Sequence, residues 1–192
     1  MRTVMLVLMM VLATTSMSVA GNIHGEYESR TSTDKINIWY RTSHLEVFVL
    51  KNANLKIAIG PRFKFGPLTV TTKIGGDWRV ADSTVNGNGS VNLFFRQGRF
   101  TCLSVNDFNL EKISFNNVFQ EGFVLVDVPE ITDGFSMGMN FEHYHINNVQ
   151  KWVFGPRVDL KLGSGSLNKI SLWAGITDNP TAAVLLHFKI PM

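Results

Sequence analysis

Cysteine is almost absent from this sequence, since Cys102 is the only one among 192 residues. A single thiol excludes an internal disulfide framework and a zinc site built from several cysteines. Charged residues are also scarce, at 17% against roughly 25% in ordinary soluble domains. Disorder is nevertheless excluded, because aromatic residues reach 11% and the net charge is only +3. With 6 prolines and 16 glycines, the chain is not collagen-like or linker-like either.

The first twenty residues have the composition of a secretory signal peptide. Arg2 is followed by an apolar stretch over residues 4–13, and small side chains stand at the end of the segment, up to Ala20. This order matches the charged, apolar and cleavage regions of an export signal. The stretch is shorter than the roughly 20 residues of a spanning helix, and an uncleaved anchor or a buried helix is the alternative. The sequence predicts a signal peptide over 1–20 and one domain over 21–192.

The mature chain has little net charge. Removal of Arg2 leaves 17 Lys and Arg against 15 Asp and Glu, a balance of +2. So small a balance does not favour nucleic acid as a partner, and an exported protein rarely meets nucleic acid. Export leads to an oxidising compartment, where Cys102 has no internal partner and is expected to be a small buried or membrane-facing residue.

Apolar and polar residues alternate along much of the mature chain, which is the pattern of β-strands. The clearest window is 54–66. One face of it reads Leu55, Ile57, Ile59, Pro61, Phe63 and Phe65, and the other reads Asn54, Lys56, Ala58, Gly60, Arg62, Lys64 and Gly66. This window is longer than the usual soluble strand of about 5–6 residues. Pro61 lacks a ladder donor and predicts a bulge or a break into two shorter strands.

Further alternating windows are separated by turn sequences. The windows cover 68–74, 135–142, 154–163, 169–176 and 182–192, with weaker ones at 36–41, 45–50, 91–95, 100–105 and 123–128. Clusters of Gly, Asn and Asp between them favour tight turns. No window carries a convincing helical stripe, so the sequence predicts an all-β meander. Gly-Pro-Arg occurs at 60–62 and again at 155–157, and equivalent bends in two strands would explain this repetition.

Three architectures bury one face of such strands: a sandwich, a soluble barrel around a ligand, and a membrane barrel with lipid outside and a polar lumen. Small residues such as Ala58, Gly60 and Gly155 occupy the polar faces, and they suit the crowded inside of a small closed barrel. Aromatic residues near apparent strand ends suit the interfacial girdles of membrane barrels. They are Trp39, Tyr40, Trp78, Phe119, Tyr144, Trp152 and Trp173.

With its leader, its alternating windows and a final window that runs to the apolar Met192, the sequence resembles bacterial outer-membrane β-barrel proteins of the small porin-like kind. That family usually ends in Phe, whereas this chain ends in Pro191-Met192. The resemblance implies a closed antiparallel up-and-down transmembrane β-barrel in the outer membrane. It implies a small passive pore or a structural membrane protein, with membrane lipid as a partner. The length of the mature chain allows roughly 8 to 12 strands.

A membrane barrel places the polar faces in the lumen. The residues expected to line it are Lys56, Arg62, Lys64, Lys73, Glu142, Arg157, Asp159, Lys161 and Lys189. Most are cationic, which predicts that small anionic solutes are favoured. In the alternative, these cations pair with acids and plug the lumen, as side chains fill small barrels.

The residues expected to face the membrane are apolar. They are Leu55, Ile57, Ile59, Phe63, Phe65, Val158, Leu160, Leu162, Leu186, Phe188 and Ile190. The rival architecture is a secreted or periplasmic soluble β-barrel, in which these same side chains line a dry pocket for an apolar ligand.

No enzyme, metal or cofactor is predicted. The sequence contains neither G-x-S-x-G nor H-E-x-x-H, and it has no phosphate-cradling loop. Glu142-His143-Tyr144-His145 is the one cluster similar to a metal site, with both histidines on one face of a strand. Because no third ligand can be named, an interfacial role at a strand end is the preferred interpretation.

Overall fold

A computed structural model of the chain describes residues 21–30, 34–52, 54–79, 81, 83–110, 117–146, 149–163, 167–175 and 181–191. Twelve β-strands account for nearly all of them. They are β1 (Asn22–Arg30), β2 (Asp34–Arg41), β3 (Leu45–Lys51), β4 (Asn54–Phe65), β5 (Leu68–Arg79), β6 (Val85–Gln97), β7 (Phe100–Asn109), β8 (Asn117–Asp127), β9 (Phe135–Ile146), β10 (Val149–Lys161), β11 (Leu167–Gly175) and β12 (Thr181–Pro191). The expected signal peptide over 1–20 lies outside the described residues and stays a prediction.

The twelve strands form one closed barrel. Every strand pairs antiparallel with its neighbours in sequence, and β1 pairs with β12 from Asn22↔Pro191 to Arg30↔Ala183. Closure leaves no free sheet edge, so the backbone groups pair around the whole circumference. The predicted closed up-and-down antiparallel barrel is confirmed, with a strand number at the upper end of the expected range. In the described part of the chain, no helix is long and apolar enough to cross a membrane.

The outside of the barrel is apolar and the inside is polar. On β4, Lys56 is 6% exposed and Ala58 is 1% exposed, whereas Ile57 is 40% and Ile59 is 48% exposed. The strands β10, β11 and β12 repeat this pattern, with Leu160, Leu172 and Val184 exposed on the outer face. A water-soluble barrel has the opposite arrangement. The rival prediction, in which Ile57 and its equivalents line an internal pocket, is therefore wrong.

The expected membrane-facing residues lie on this outer surface. Ile57, Ile59, Phe63, Phe65, Leu160 and Leu162 are exposed, and Leu55, Val158, Leu186 and Phe188 are half-buried. The side chain of Ile190 lies outside the described residues. Cys102 also lies on the outer face and is half-buried.

Two inward glycines let the barrel wall bend sharply. A Cβ atom on Gly60 would lie 1.8 Å from the carbonyl oxygen of Thr72, and one on Gly155 would lie 1.7 Å from that of Ala174. Only glycine allows so close an approach of two backbones. Both glycines begin a Gly-Pro-Arg string whose arginine also points inward, so the repeated string marks equivalent bends in β4 and β10.

Pro61 does not divide its strand. β4 is continuous from Asn54 to Phe65, so the predicted break into two strands is wrong. The ladder with β5 omits Gly60 and Pro61 and resumes in the same register at Arg62↔Thr71. The missing donor is tolerated because Pro61 interrupts one ladder only locally, while pairing with β3 continues at Leu45↔Pro61.

The predicted aromatic girdle is correct for two side chains. Trp78 and Trp152 lie on the outer face and are 38% and 55% exposed. For Trp39, Phe119, Tyr144 and Trp173 the prediction is wrong, because the register turns these rings into the lumen. Trp173 packs there against Leu185 and Ala183. Tyr40 is buried on the outer face against Gly21.

A row of polar side chains crosses the outer face of β7, β8 and β9. Asn106 accepts a hydrogen bond from Gln120 Nε2 at 2.9 Å, and Gln120 Oε1 lies 3.0 Å from His143 Nδ1. The His143 ring stacks on Trp152, with 3.9 Å between ring centroids. Internal hydrogen bonding lowers the cost of placing these groups in an apolar environment. Among the described residues no group of three or more His, Cys, Asp or Glu could hold a metal.

Candidate functional site

The candidate functional site is the barrel lumen, and most of the expected lining residues lie inside it. Lys56, Lys73, Glu142, Arg157 and Asp159 are each no more than 6% exposed. Arg62 is half-buried, and Lys64 and Lys161 are exposed at one end of the barrel. The side chain of Lys189 lies outside the described residues. The buried members do not share one cluster, because carboxylates divide them into separate groups.

The first group lies between β2, β3 and β5. Glu46 accepts hydrogen bonds from Arg41 Nε at 2.6 Å and from Lys73 Nζ at 2.7 Å. The ammonium of Lys73 also lies 4.8 Å from the centroid of the Phe48 ring. One carboxylate therefore compensates two cations, and the remaining stabilisation comes from the aromatic face.

The second group lies between β10, β11 and β12. Asp159 accepts hydrogen bonds from Arg157 Nε and from Lys169 Nζ, both at 2.8 Å. Arg157 also donates to Asn140 Oδ1 and to Ser171 Oγ, each at 3.1 Å. Every side of the guanidinium is thus occupied, which fixes its position in the lumen.

Two further contacts extend the second group. Arg157 lies 4.3 Å from the centroid of the Phe123 ring. Ser171 Oγ lies 2.8 Å from His187 Nε2, whose other ring nitrogen lies 3.1 Å from Glu26. The group therefore reaches from β8 across to β1, around nearly half of the wall.

The third group lies toward the other end of the barrel. Lys56 pairs with Asp107 at 2.6 Å across the lumen. Lys35 lies 3.5 Å from Glu28 and 3.6 Å from Glu121. Lys35 on β2 thus bridges a carboxylate of β1 and a carboxylate of β8.

A cavity of about 430 Å³ lies between these groups. One wall is apolar and consists of Phe94, Leu103, Val105 and Phe123, from β6 to β8. The other wall carries charged side chains from β1, β10 and β11, among them Glu26, Glu28, Arg157 and Lys169. The lumen is thus narrowed by its ion pairs and still contains open space.

The sequence analysis missed most of the lumen carboxylates. Glu26, Glu28, Glu46, Asp77, Asp107 and Glu121 all point inward by register. They lie in strands whose alternation is weak, so no face could be assigned to them. β7 is the clearest case, because its inward residues Leu103 and Val105 are apolar and its outward residues Ser104 and Asn106 are polar.

Solved structures with a similar fold are outer-membrane porins. The KdgM porin, solved in complex with disordered oligogalacturonate, matches with a TM-score of 0.61 and 9% identity, covering 89% of this chain and 99% of that one. The NanC porin matches with a TM-score of 0.55 and 10% identity, covering 90% of this chain and 100% of that one. No protein-family model and no curated protein matches this chain. These likenesses show that the chain has the porin-type barrel that its whole-chain pattern predicted.

Proposed function

We propose that this chain is exported by the signal peptide over 1–20 and then forms a small passive pore in the bacterial outer membrane. The observation that carries the proposal is a polar, charged lumen enclosed by an apolar outer surface. Such a wall presents apolar side chains to lipid on the outside and polar side chains to water on the inside. The cavity of about 430 Å³ between the ion pairs leaves space for small solutes. The proposal assigns no catalytic reaction and no cofactor to the chain.

Small anions are the proposed preferred solutes. Lys56, Lys73 and Arg157 are compensated by carboxylates. Among the described residues, Lys64 and Lys161 form no ion pair and are exposed at one end of the lumen. Fixed cations at a mouth raise the local concentration of anions. The similar KdgM barrel was solved with oligogalacturonate, a carboxylated sugar chain, which makes anionic solutes a reasonable first test.

A second candidate function is a structural barrel with a closed lumen. The buried ion pairs around Glu46 and Asp159 favour it, because they fill the lumen on two sides. The two functions differ in one measurable property, the ionic conductance of the refolded protein.

Planar-bilayer recordings in a tenfold KCl gradient test the proposal. We expect discrete conductance steps and a reversal potential that shows anion preference. The double variant Lys64→Glu/Lys161→Glu should move the reversal potential toward cations, since it reverses two charges at the mouth. Arg99→Gln is the matched control, because Arg99 lies in an exposed turn and pairs with Glu130. Absent conductance supports the closed barrel, and cation preference in the parent protein refutes the anion preference.

A further inference from the structure

One ion pair in the lumen joins opposite sides of the barrel. The ammonium of Lys35 on β2 lies 3.6 Å from a carboxylate oxygen of Glu121 on β8, and 5.8 Å from the centroid of the Phe119 ring on the same strand. In the closed ring of strands, β2 and β8 are separated by five strands on either side. A contact between them therefore crosses the lumen. The pair of Lys73 and Glu46, by contrast, joins β5 and β3 on one side of the wall.

The bridge is held firmly at one end and weakly at the other. Lys35 Nζ lies 3.5 Å from a carboxylate oxygen of Glu28, which stands directly opposite Lys35 in the register of β1 and β2. The side chain of Glu28 is 4% exposed, whereas that of Glu121 is 33% exposed. An ion pair open to water is weak, and a buried one is costly to break. The contact with Glu121 is therefore the one that breaks first. We call Glu28, Lys35 and Glu121 the crossbar.

The cavity of the lumen ends at the crossbar. We define the first mouth as the end of the barrel where β1 begins and β12 ends, and the second mouth as the opposite end. The cavity of about 430 Å³ reaches the exposed Lys161 at the first mouth, and it is lined by Glu28 and Glu121 at its other end. On β2, its lining residue Trp39 lies on the first-mouth side of Lys35. The crossbar thus lies between the cavity and the second mouth.

We propose that Lys35 is the gate of the pore, an inference that rests on the proposed pore function. While Lys35 contacts Glu121, the crossbar spans the lumen and narrows the path from the cavity to the second mouth. When that contact breaks, the ammonium stays with Glu28 on its own side and the path widens. The ammonium lies beside a carboxylate in both positions, so its motion leaves no buried charge uncompensated. Side-chain motion is faster than a current recording resolves, so the recorded conductance is an average over both positions.

Single-channel conductance of the refolded full mature chain at 1 M KCl tests this. Lys35→Met and Glu121→Leu each remove the contact and keep a side chain of similar size. We expect either variant to raise the conductance roughly twofold, because the current follows the open cross-section of the narrowest part of a pore. The screening length at this salt concentration is about 3 Å, so the loss of a fixed charge alone changes the current little. Asp127→Leu is the matched control, because it removes an inward carboxylate near the first mouth, away from the crossbar, and it should leave the conductance unchanged.

A double variant tests whether the two side chains act through one contact. Lys35→Met/Glu121→Leu should conduct no more than either single variant, because the contact is already absent in each. Swelling of liposomes in neutral sugars separates width from charge. Uptake of a trisaccharide should rise more than uptake of a pentose in the variants, since a wider path favours the larger solute. Either single variant that keeps the heat-modifiable gel band of the folded barrel suffices, because both remove the same contact.

The outcomes distinguish this inference from the pore itself. A conducting parent protein whose single variants conduct no better overturns the inference and leaves the pore proposal in place. An equal rise in Asp127→Leu, or single rises that multiply in the double variant, also overturns the inference. Variants that conduct while the parent protein does not support it, and show a pore that the crossbar holds closed. No conductance in the parent protein or in any variant overturns the pore proposal and this inference together.

Discussion

Substitution of Ile59 by arginine tests whether the apolar outer face meets lipid. Ile59 lies near the middle of β4, on the outer surface, and is 48% exposed. In a water-soluble barrel an exposed isoleucine tolerates arginine, and the stability changes by roughly 0.5 kcal/mol or less. In a bilayer the same change places a guanidinium in hydrocarbon, which costs about 2–4 kcal/mol at the midplane.

The expected magnitude depends on depth. A strand rises about 3.4 Å per residue, and a tilt of about 40° leaves roughly 2.6 Å of depth per residue. A strand of the length of β4 therefore crosses about 30 Å, the thickness of the hydrocarbon core. Phe65, at the end of the strand, lies roughly 16 Å from the depth of Ile59 by the same estimate. Arginine at Phe65 is expected to cost only about 0–1 kcal/mol, because the side chain reaches the interface.

The assay is equilibrium unfolding in guanidinium chloride of the mature chain refolded in lipid vesicles. Ile59→Arg and Phe65→Arg form a matched pair, since both replace an exposed outer side chain on one strand. A loss of about 2–4 kcal/mol for the first and about 0–1 kcal/mol for the second supports the membrane assignment. Equal losses at the two positions, or a loss below about 0.5 kcal/mol at Ile59, would refute it.

Three further changes probe the lumen, the bends and the outer polar row. Glu46→Gln leaves the buried ammonium of Lys73 and the half-buried guanidinium of Arg41 without their shared carboxylate, and should lower the free energy of unfolding by about 3–5 kcal/mol. A loss below about 1 kcal/mol in denaturant titration contradicts the role given to that carboxylate. Gly155→Ala places a methyl group against a neighbouring backbone and should abolish the heat-modifiable gel band of the folded barrel. Gly25→Ala is the control, because its methyl group makes only ordinary contacts, and it should keep the band. Equal bands for the two variants would contradict the close approach of the two backbones at Gly155. Gln120→Leu removes a hydrogen-bond partner from both Asn106 and His143 in the outer row, and should lower the free energy of unfolding in vesicles by about 1–3 kcal/mol. An unchanged unfolding midpoint would show that the row does not stabilise the barrel.

The fold class was predictable because β4 and β10 each combine a continuous apolar face with a polar face of small and cationic residues. A period of two over a dozen residues is hard to reconcile with a helix or with a short soluble strand. The glycines of the two Gly-Pro-Arg strings indicated which face points into the barrel, because the crowded concave side leaves no room for a side chain at these positions. Those local signals were enough to predict a closed barrel whose apolar face meets lipid.

The weaker strands show where local pattern fails. On β7 the inward positions are Leu103 and Val105 and the outward ones are Ser104 and Asn106, so hydropathy alone assigns the faces incorrectly. Pairing with β6 and β8 fixes the orientation, because a slip of one residue would turn every side chain of the strand to the other face. The register depends on pairing throughout the barrel, so it cannot be predicted from the sequence of β7 alone.

The same argument explains why the lumen looked cationic in the sequence and contains many ion pairs in the barrel. The strong windows supplied Lys56, Lys73 and Arg157, whereas most of the carboxylates lie in weak windows. Lys56 and its partner Asp107 are 51 residues apart, and Lys73 and Glu46 are 27 apart, so no local spacing joins them. Each cation is compensated or left uncompensated only when the barrel closes and sets neighbouring strands in register. The pairing of the lumen charges is therefore a property of the register rather than of the composition.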